Sequence, residues 1–591
     1  MSHLNFFDIA SGVRSNRDTP GPTWNQWDRD SISASNEPGL IYPGMDMSTA
    51  LQTSSIRPSP GDSHSPVARP FTEEAVTTDD PKSLERIDLA PRLYACSVRS
   101  SILPCRQVQN ELVTLYFRHI HPMLPVVDEH HFSTLHRNLR GREEFMEPGD
   151  FLIYLAVLAA GFGHLSEIQL HRTPYRSLHD GQGALFDQVK ASLHPLLIKS
   201  FGFDLGHDFN RSVSLIISLW SPAPPAPIQE NNSFWVDLAF KHANAAKLWD
   251  TRESGFLAGF CRRRVLWWCC IVRDRHLVVV LRRPYRLHHI TATAVLPSER
   301  DFGIEATEPS FMDLPLKHLA ILSFVWLCRL SEIMARIANF QRQVVQVFAR
   351  WNGTVDVSSG FEEIYDLDRQ LDQWRSNFET SVSEKTEAEE VLFAPSVTLL
   401  RIISYSLVTV LYQFSFLLHR RDIERGISFK PDPLQRMKEG SYRVAINLEI
   451  IKANDGCDDI PLWALGWFVL PLTVYQVSEH MEQNLPLRDI LMFFMKRLTR
   501  RCSGAHTISQ TVAKVVKAVA ERINASALMD SSGMMSGIPP GGTVREEITS
   551  TLDSTRWQRE AKILAISLGL CDPALEHNAI PDQSRVAEFC G

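Results

Sequence analysis

The 591-residue sequence has ten cysteines, none before Cys96, and no two are separated by the two-residue gap of a zinc-binding pair. So sparse a scatter excludes a disulfide scaffold and gives no sign of a structural zinc cluster. Cys261, Cys269 and Cys270 come nearest, and they read as buried apolar thiols on divergent faces of one helix. Excess charge of either sign is also missing: 61 basic against 68 acidic residues leaves −7. A protein that coats nucleic acid needs a basic field, and this chain has none. The motifs G-x-S-x-G, G-x-x-x-x-G-K-[ST] and a strand-anchored G-x-G-x-x-G do not occur, which removes the commonest nucleophile and phosphate-cradling chemistries. The first thirty residues have no basic start followed by an apolar run, so an intracellular, reducing compartment is expected.

What is present divides by composition. Residues 1–95 hold 13 Ser, 7 Thr and 10 Pro, too little apolar surface to offset chain entropy, and are expected to be disordered. Their 13 acids and 8 bases give −5, leaving −2 for the rest. Pro and Gly in Ser221–Pro227 and Ser531–Gly542 mark surface loops. The expected organisation is a segment 1–95, a first helical half 96–310, a second half 311–528, a linker 529–545 and a C-terminal helix and tail 546–591.

Between the breaks, apolar residues recur at helical spacing, as in Val108, Leu112, Leu115 and Tyr116. Asp150 is expected to cap the apolar segment 151–160. Further helices are expected over 184–201, 234–249, 260–281, 316–351, 361–378, 396–418, 434–453, 462–480, 489–501 and 507–523. Strand alternation is scarce, so the fold class is all-α, an irregular multi-helix assembly. Residues 397–418 are long enough to span a bilayer but carry Arg401 and Gln413, which favours a buried helix. Gly161-Phe-Gly163 and Gly181-Gln-Gly183 read as helix ends or links.

Five histidines, His119, His121, His130, His131 and His136, fall within 18 residues. With no H-E-x-x-H motif beside them they read as surface or capping groups, and a metal enzyme built on this turn is the lesser alternative. Asp458-Asp459 reads as the N-terminal turn of the next helix. Lys496–Arg501 is a basic group that reads as a solvated helix end, with assistance to nuclear import as the functional alternative.

The most informative stretch runs from Phe260 through the arginines Arg262, Arg263 and Arg264, the pair Trp267-Trp268 and Asp274-Arg275 to Pro284. It holds eight arginines by Arg286 and one acid. On a helix, Arg263, Trp267, Ile271, Asp274 and Val278 share a stripe, so Asp274 is a sheltered carboxylate that needs a cation. Arg263 lies ~16 Å away along the axis, and the expected partner is Arg283, beyond the chain reversal. Tryptophans interleaved with arginines suit stacking on bases, but arginines spread around an apolar helix favour a structural role.

This segment resembles the signature of the fungal-specific transcription factor domain, the middle region of zinc binuclear cluster regulators. The matching elements are Arg264, Trp267-Trp268, Asp274-Arg275, Arg283-Pro284, Leu296-Pro297 and Asp301-Phe302. Upstream, Leu115-Tyr-Phe117, His121-Pro122, Pro125–Asp128 and Phe132 resemble the family's opening helix and turn. Trp235, Ala239 and Ala243 resemble the helix before the tryptophan pair, and Leu417–Arg420 a later element. The sequence departs from the pattern at Arg282, where Gly is usual, at Leu248-Trp249, where Leu-Gly-Leu is usual, and at Arg421, where Pro is usual.

The resemblance implies a nuclear transcription regulator, not an enzyme, whose structural core includes Arg264, Trp267, Trp268, Asp274, Arg275, Arg283, Pro284, His121, Pro122 and Pro125. The family's six-cysteine DNA-binding cluster is expected N-terminal to this domain, and residues 1–95 hold no cysteine. Direct DNA binding by this chain alone is therefore not expected, nor is any cofactor or membrane association. The implied partners are a protein, either a DNA-binding regulator or a second copy, and a small-molecule effector. A regulator with a missing N-terminal exon, or a helical scaffold or adaptor unrelated to transcription, are the alternatives.

Overall fold

The protein is described by a computed structural model, in which the chain divides into two units, Met1–Ile87 and Asp88–Gly591. The residues described are 103–139, 146–199, 212–216, 218–219, 232–249, 258–281, 295–349, 357–385, 394–418, 432–454, 456, 459–477, 485–532 and 563–564, all in the second unit. The expected disordered segment 1–95, the loop 221–227, most of the linker, Arg282, Arg283, Pro284 and Arg286 lie outside them.

Among the described residues there are fourteen α-helices and no strand. They are α1 Arg106–His119, α2 Glu129–Leu139, α3 Pro148–Phe162, α4 Glu167–Leu170, α5 Leu178–Lys199, α6 Asn232–Ala245 and α7 Ala258–Leu281. The series continues with α8 Leu314–Ala349, α9 Val357–Lys385, α10 Pro395–Leu418, α11 Asp432–Ala453, α12 Gly466–Val477, α13 Leu485–Thr499 and α14 Ser503–Ser532. Short 3-10 helices occupy Glu299–Ala306 and Leu462–Leu465. The all-α expectation holds, because the apolar period along the chain is helical nearly throughout.

Two groups of helices stand out: in one α3 packs between α1 and α5, and in the other α8 to α12 pack in sequence, with α10 against α11. Helix α7 contacts α6, α8 and the 3-10 helix Glu299–Ala306. Its residues 265–279 are buried without a break. A helix that is apolar on nearly all sides belongs in the interior, and the four polar residues in that run must then be satisfied by neighbours.

Helix α10 is apolar and long enough to cross a membrane, yet 89% of its most hydrophobic window is buried among the other helices. Arg401 on it makes a two-pronged pair with Glu379 of α9, Nε and Nη2 each donating at 2.7 Å. Ser406 Oγ donates to the Trp467 carbonyl at 2.9 Å. The buried-helix expectation therefore holds, with α8, the second helix of that length and hydropathy, also largely buried.

Several expectations change. Helix α3 starts at Pro148 with Glu147 as N-cap, so Asp150 sits in the first turn and caps nothing: proline at the first helical position sets the start. Helix α2 was not expected: it is short and rich in histidine, and only Phe132, Leu135 and Leu139 of its eleven residues are apolar. Gly181 and Gly183 do not link helices but lie inside α5. A Cβ at Gly181 would fall 2.2 Å from the Phe162 ring, so the glycine lets α3 and α5 approach closely. Gly181→Ala is expected to cost about 1–3 kcal/mol through overpacking, read as a lower urea midpoint.

Candidate functional site

The buried face of α7 collects the motif residues at one junction. Arg262, one turn into the helix, donates through Nη1 to Glu305 Oε2 at 2.9 Å and through Nη2 to the Pro125 carbonyl at 2.7 Å. Arg264 donates to Asp301 Oδ1 at 2.8 Å, and Asp301 Oδ2 accepts from the Ser298 backbone N–H at 2.7 Å. Trp268 Nε1 donates to the Val295 carbonyl at 2.9 Å. One helix thus holds the segment 295–306 by three side chains, two of them charged.

The turn carrying His121, Pro122 and Pro125 closes the junction from the other side. His121 Nε2 donates to Glu305 Oε1 at 2.6 Å, and the Glu129 backbone N–H donates to Oε2 at 3.3 Å. Glu129 is itself buried: Oε1 accepts from the backbone N–H groups of Phe311 and Met312 at 2.7 and 3.0 Å, and Oε2 pairs with Lys317 Nζ at 2.9 Å. The side chains of Lys317 and Glu129 are 1% and 0% exposed. Three carboxylates, Glu129, Asp301 and Glu305, therefore face three cations, Arg262, Arg264 and Lys317. Burial alone would raise the Glu305 carboxyl, but Arg262 and His121 outweigh it and hold it down to about 2.

Further along α7, Trp267 and Trp268 are each 1% exposed, and Trp267 meets Phe240 edge-on at 5.9 Å between ring centres. Arg273 is buried and donates to the Ser218 carbonyl and hydroxyl, and burial lowers its guanidinium to about 9. Arg275 donates to the Ser331 carbonyl at 3.0 Å. His276 lies between Trp463 and Trp467, where burial first and Arg273 second press it down to about 3 and keep it neutral. Asp274 is buried, as its stripe position predicts. Its expected partner Arg283, and Pro284 beside it, lie outside the described residues.

The histidines depart from the surface expectation. His119, His121 and His136 are buried, while His130 pairs with Glu308 at 3.2 Å near the surface and His131 is exposed. His119 stacks on His164 at 4.8 Å and lies 3.3 Å from Asp459, whose role is thus a tertiary contact ahead of the 3-10 helix and not a helix turn. The ring nitrogens of His136 lie 2.9 Å from the Tyr154 hydroxyl and 2.9 Å from Asn110 Oδ1. Burial, then Arg118 and Arg501, lowers His119 to about 3, and burial, then Arg106, lowers His136 to about 4. Arg501 is likewise no solvated helix end: it is buried and donates to the Ile460 carbonyl at 2.6 Å.

Donor atoms of His121, Glu129 and Glu305 all lie within 4.8 Å of one another, a ligand set that a metal ion requires. Those donors are in use. A divalent ion placed among them would face Arg262 and Lys317 at contact distance and would have to displace both. The arrangement works as a closed ion-pair junction that ties α7 to the turns before α2 and α8. Sequence reading missed Glu129, Glu305 and Lys317. The spacing of Asp301 and Glu305, four apart like two residues on one helix face, is the only local hint of it.

No family model matches the sequence. Among curated proteins it is similar to cutinase transcription factor 1 alpha of Fusarium vanettenii, 22% identical over 469 residues, or 78% of this chain and 48% of that protein. It is also similar to transcription factor cpaR of Aspergillus oryzae, 26% identical over 254 residues and 40% of each chain. Cutinase transcription factor 1 beta of Fusarium vanettenii matches at 20% over 343 residues, 53% of this chain and 38% of that one. The chain spans about half the length, or less, of these relatives, and the relatives are fungal transcription factors.

Two outcomes follow for stability. His119, His136 and His276 are held neutral in the fold but titrate near 6.5 when unfolded, so acidification below about pH 6.5 favours the unfolded chain until the folded values near 3 to 4 are reached. Three such groups give a slope of up to ~4 kcal/mol per pH unit between about pH 6 and 4.5. Glu305, held at about 2, adds a further loss in the same direction below about pH 4.5. Urea midpoints measured from pH 7.5 to 4.5 check the sign. Lys317→Met leaves Glu129 buried without its cation and is expected to cost about 3–5 kcal/mol by the same measurement.

Proposed function

We propose that this chain is the helical regulatory body of a transcription regulator of the fungal zinc-cluster kind, acting in the nucleus through a protein partner. The observation that carries this reading is the convergence of His121, Pro125, Arg264, Trp268 and Asp301 on α7, since these are the residues by which the sequence resembles that regulatory domain. The relatives' names support regulation of transcription.

The chemistry of the junction supports a structural role: the charges of Glu129, Asp301 and Glu305 are each matched by a cation, Lys317, Arg264 and Arg262 in turn. A metal or cofactor has no part in this reading. In this reading contact with DNA is made through a partner, and the described arginines of the stretch are spent inside: Arg262, Arg264, Arg273 and Arg275 all hold carboxylates, carbonyls or hydroxyls of the protein itself.

Fusion of the full chain to an unrelated DNA-binding domain tests the reading. The fusion is expected to change transcription of a reporter bearing that domain's site several-fold, relative to the domain alone. An unchanged reporter with normally expressed, folded fusion contradicts it. The isolated chain is expected to retain no duplex DNA at ~50 mM salt, where phosphate contacts are strongest.

A further inference from the structure

A small cleft of about 30 Å³, partly open to solvent, lies between α3, α5 and the 3-10 helix Leu462–Leu465. Its walls are mainly aliphatic and aromatic, with Ala156, Ala160, Phe186, Ile216 and Leu462 among them. Among the described residues no Asp, Glu, Lys or Arg lines it, and His164 is the only titratable group of that lining. A charged ligand would therefore lose its hydration with no counter-charge to meet it, which restricts the occupant to a neutral molecule.

Two polar side chains on the wall are left with unmet hydrogen-bonding capacity. Gln182 is 4% exposed: its Nε2 donates to the Ala159 carbonyl at 3.3 Å, while its Oε1 is buried and accepts nothing. Its amide lies along Gly163, where a Cβ would stand 3.0 Å from Nε2 and 3.2 Å from Oε1. Trp463 is 8% exposed, and its Nε1–H is buried without an acceptor. A buried donor and a buried acceptor without partners each cost about 1–3 kcal/mol, a cost that a suitable ligand removes. Their complement is a hydroxyl, which accepts from the indole and donates to the amide oxygen.

We propose that this cleft binds a small neutral molecule with an aliphatic body and one hydroxyl group, held by Trp463 and Gln182. The ring of Trp463 also packs on His276 of α7, 5.1 Å between centres, so an occupant touches the side chain that touches the central helix. As the seat of an effector the cleft rests on the regulatory reading; as a binding site it stands on geometry alone. Ligand binding is measured on the purified chain and reporter output in cells, so failure of either is a distinct result.

The test is a saturation-transfer NMR titration of the full chain with 1-butanol and with its isomer methyl propyl ether, which accepts a hydrogen bond but donates none. Saturable binding of 1-butanol with a Kd of about a few millimolar is expected for five heavy atoms, with the ether at least ~5-fold weaker. Ala160→Phe, which fills the cleft from its half-buried rim, is expected to abolish binding while the far-UV circular dichroism stays unchanged. Should that variant fold poorly, Ala160→Leu fills part of the same space and is expected to weaken binding at least ~3-fold. Trp463→Phe, which removes the donor and keeps an aromatic ring, is expected to weaken 1-butanol several-fold. Non-saturable binding, equal affinity for the ether, or wild-type affinity in a folded Ala160 variant overturns the proposal.

Discussion

Glu305 is held from two sides, by His121 of the turn before α2 and by Arg262 at the start of α7, and the architecture of the first half depends on that grip. A carboxylate almost wholly withdrawn from water is tolerable only with opposite charge and hydrogen bonds around it. The two that hold it come from segments with no local reason to meet. The same carboxylate accepts from the Glu129 backbone, and Glu129 pairs with Lys317 at the start of α8. Breaking one contact leaves an unmatched charge in the next, so the junction acts as a unit.

Helix α7 is the other half of that constraint. Its middle is buried on all sides, and it contacts α6, α8 and the 3-10 helix Glu299–Ala306. The arginines and His276 along it are not a surface offered to a ligand but the means by which a polar sequence is accommodated in an interior. Five of the stretch's eight arginines, Arg262, Arg263, Arg264, Arg273 and Arg275, are engaged in this way.

Much of the fold was legible because helical periodicity is a local signal: the long helices α8, α10 and α11 begin and end close to where the apolar spacing places them. The sheltered position of Asp274 was legible for the same reason. What was not legible is tertiary. Glu305 lies 184 residues from His121, and nothing in the spacing of either announces the other. The histidines looked like surface groups because the partners that bury His119, His121 and His136, such as His164, Glu305 and Tyr154, are distant in sequence. Gly181 looked like a link because a close helix crossing and a helix end call for the same residue.

The account turns on whether the ion pairs at α7 are coupled through the interior or are incidental contacts. A double-mutant cycle between Arg262→Met and Glu305→Gln, followed by urea unfolding at pH 7.5, measures this directly. Coupling of about 2 kcal/mol or more is expected, because the double variant removes both charges while each single one strands a partner. Single effects that add to within ~0.5 kcal/mol would contradict it.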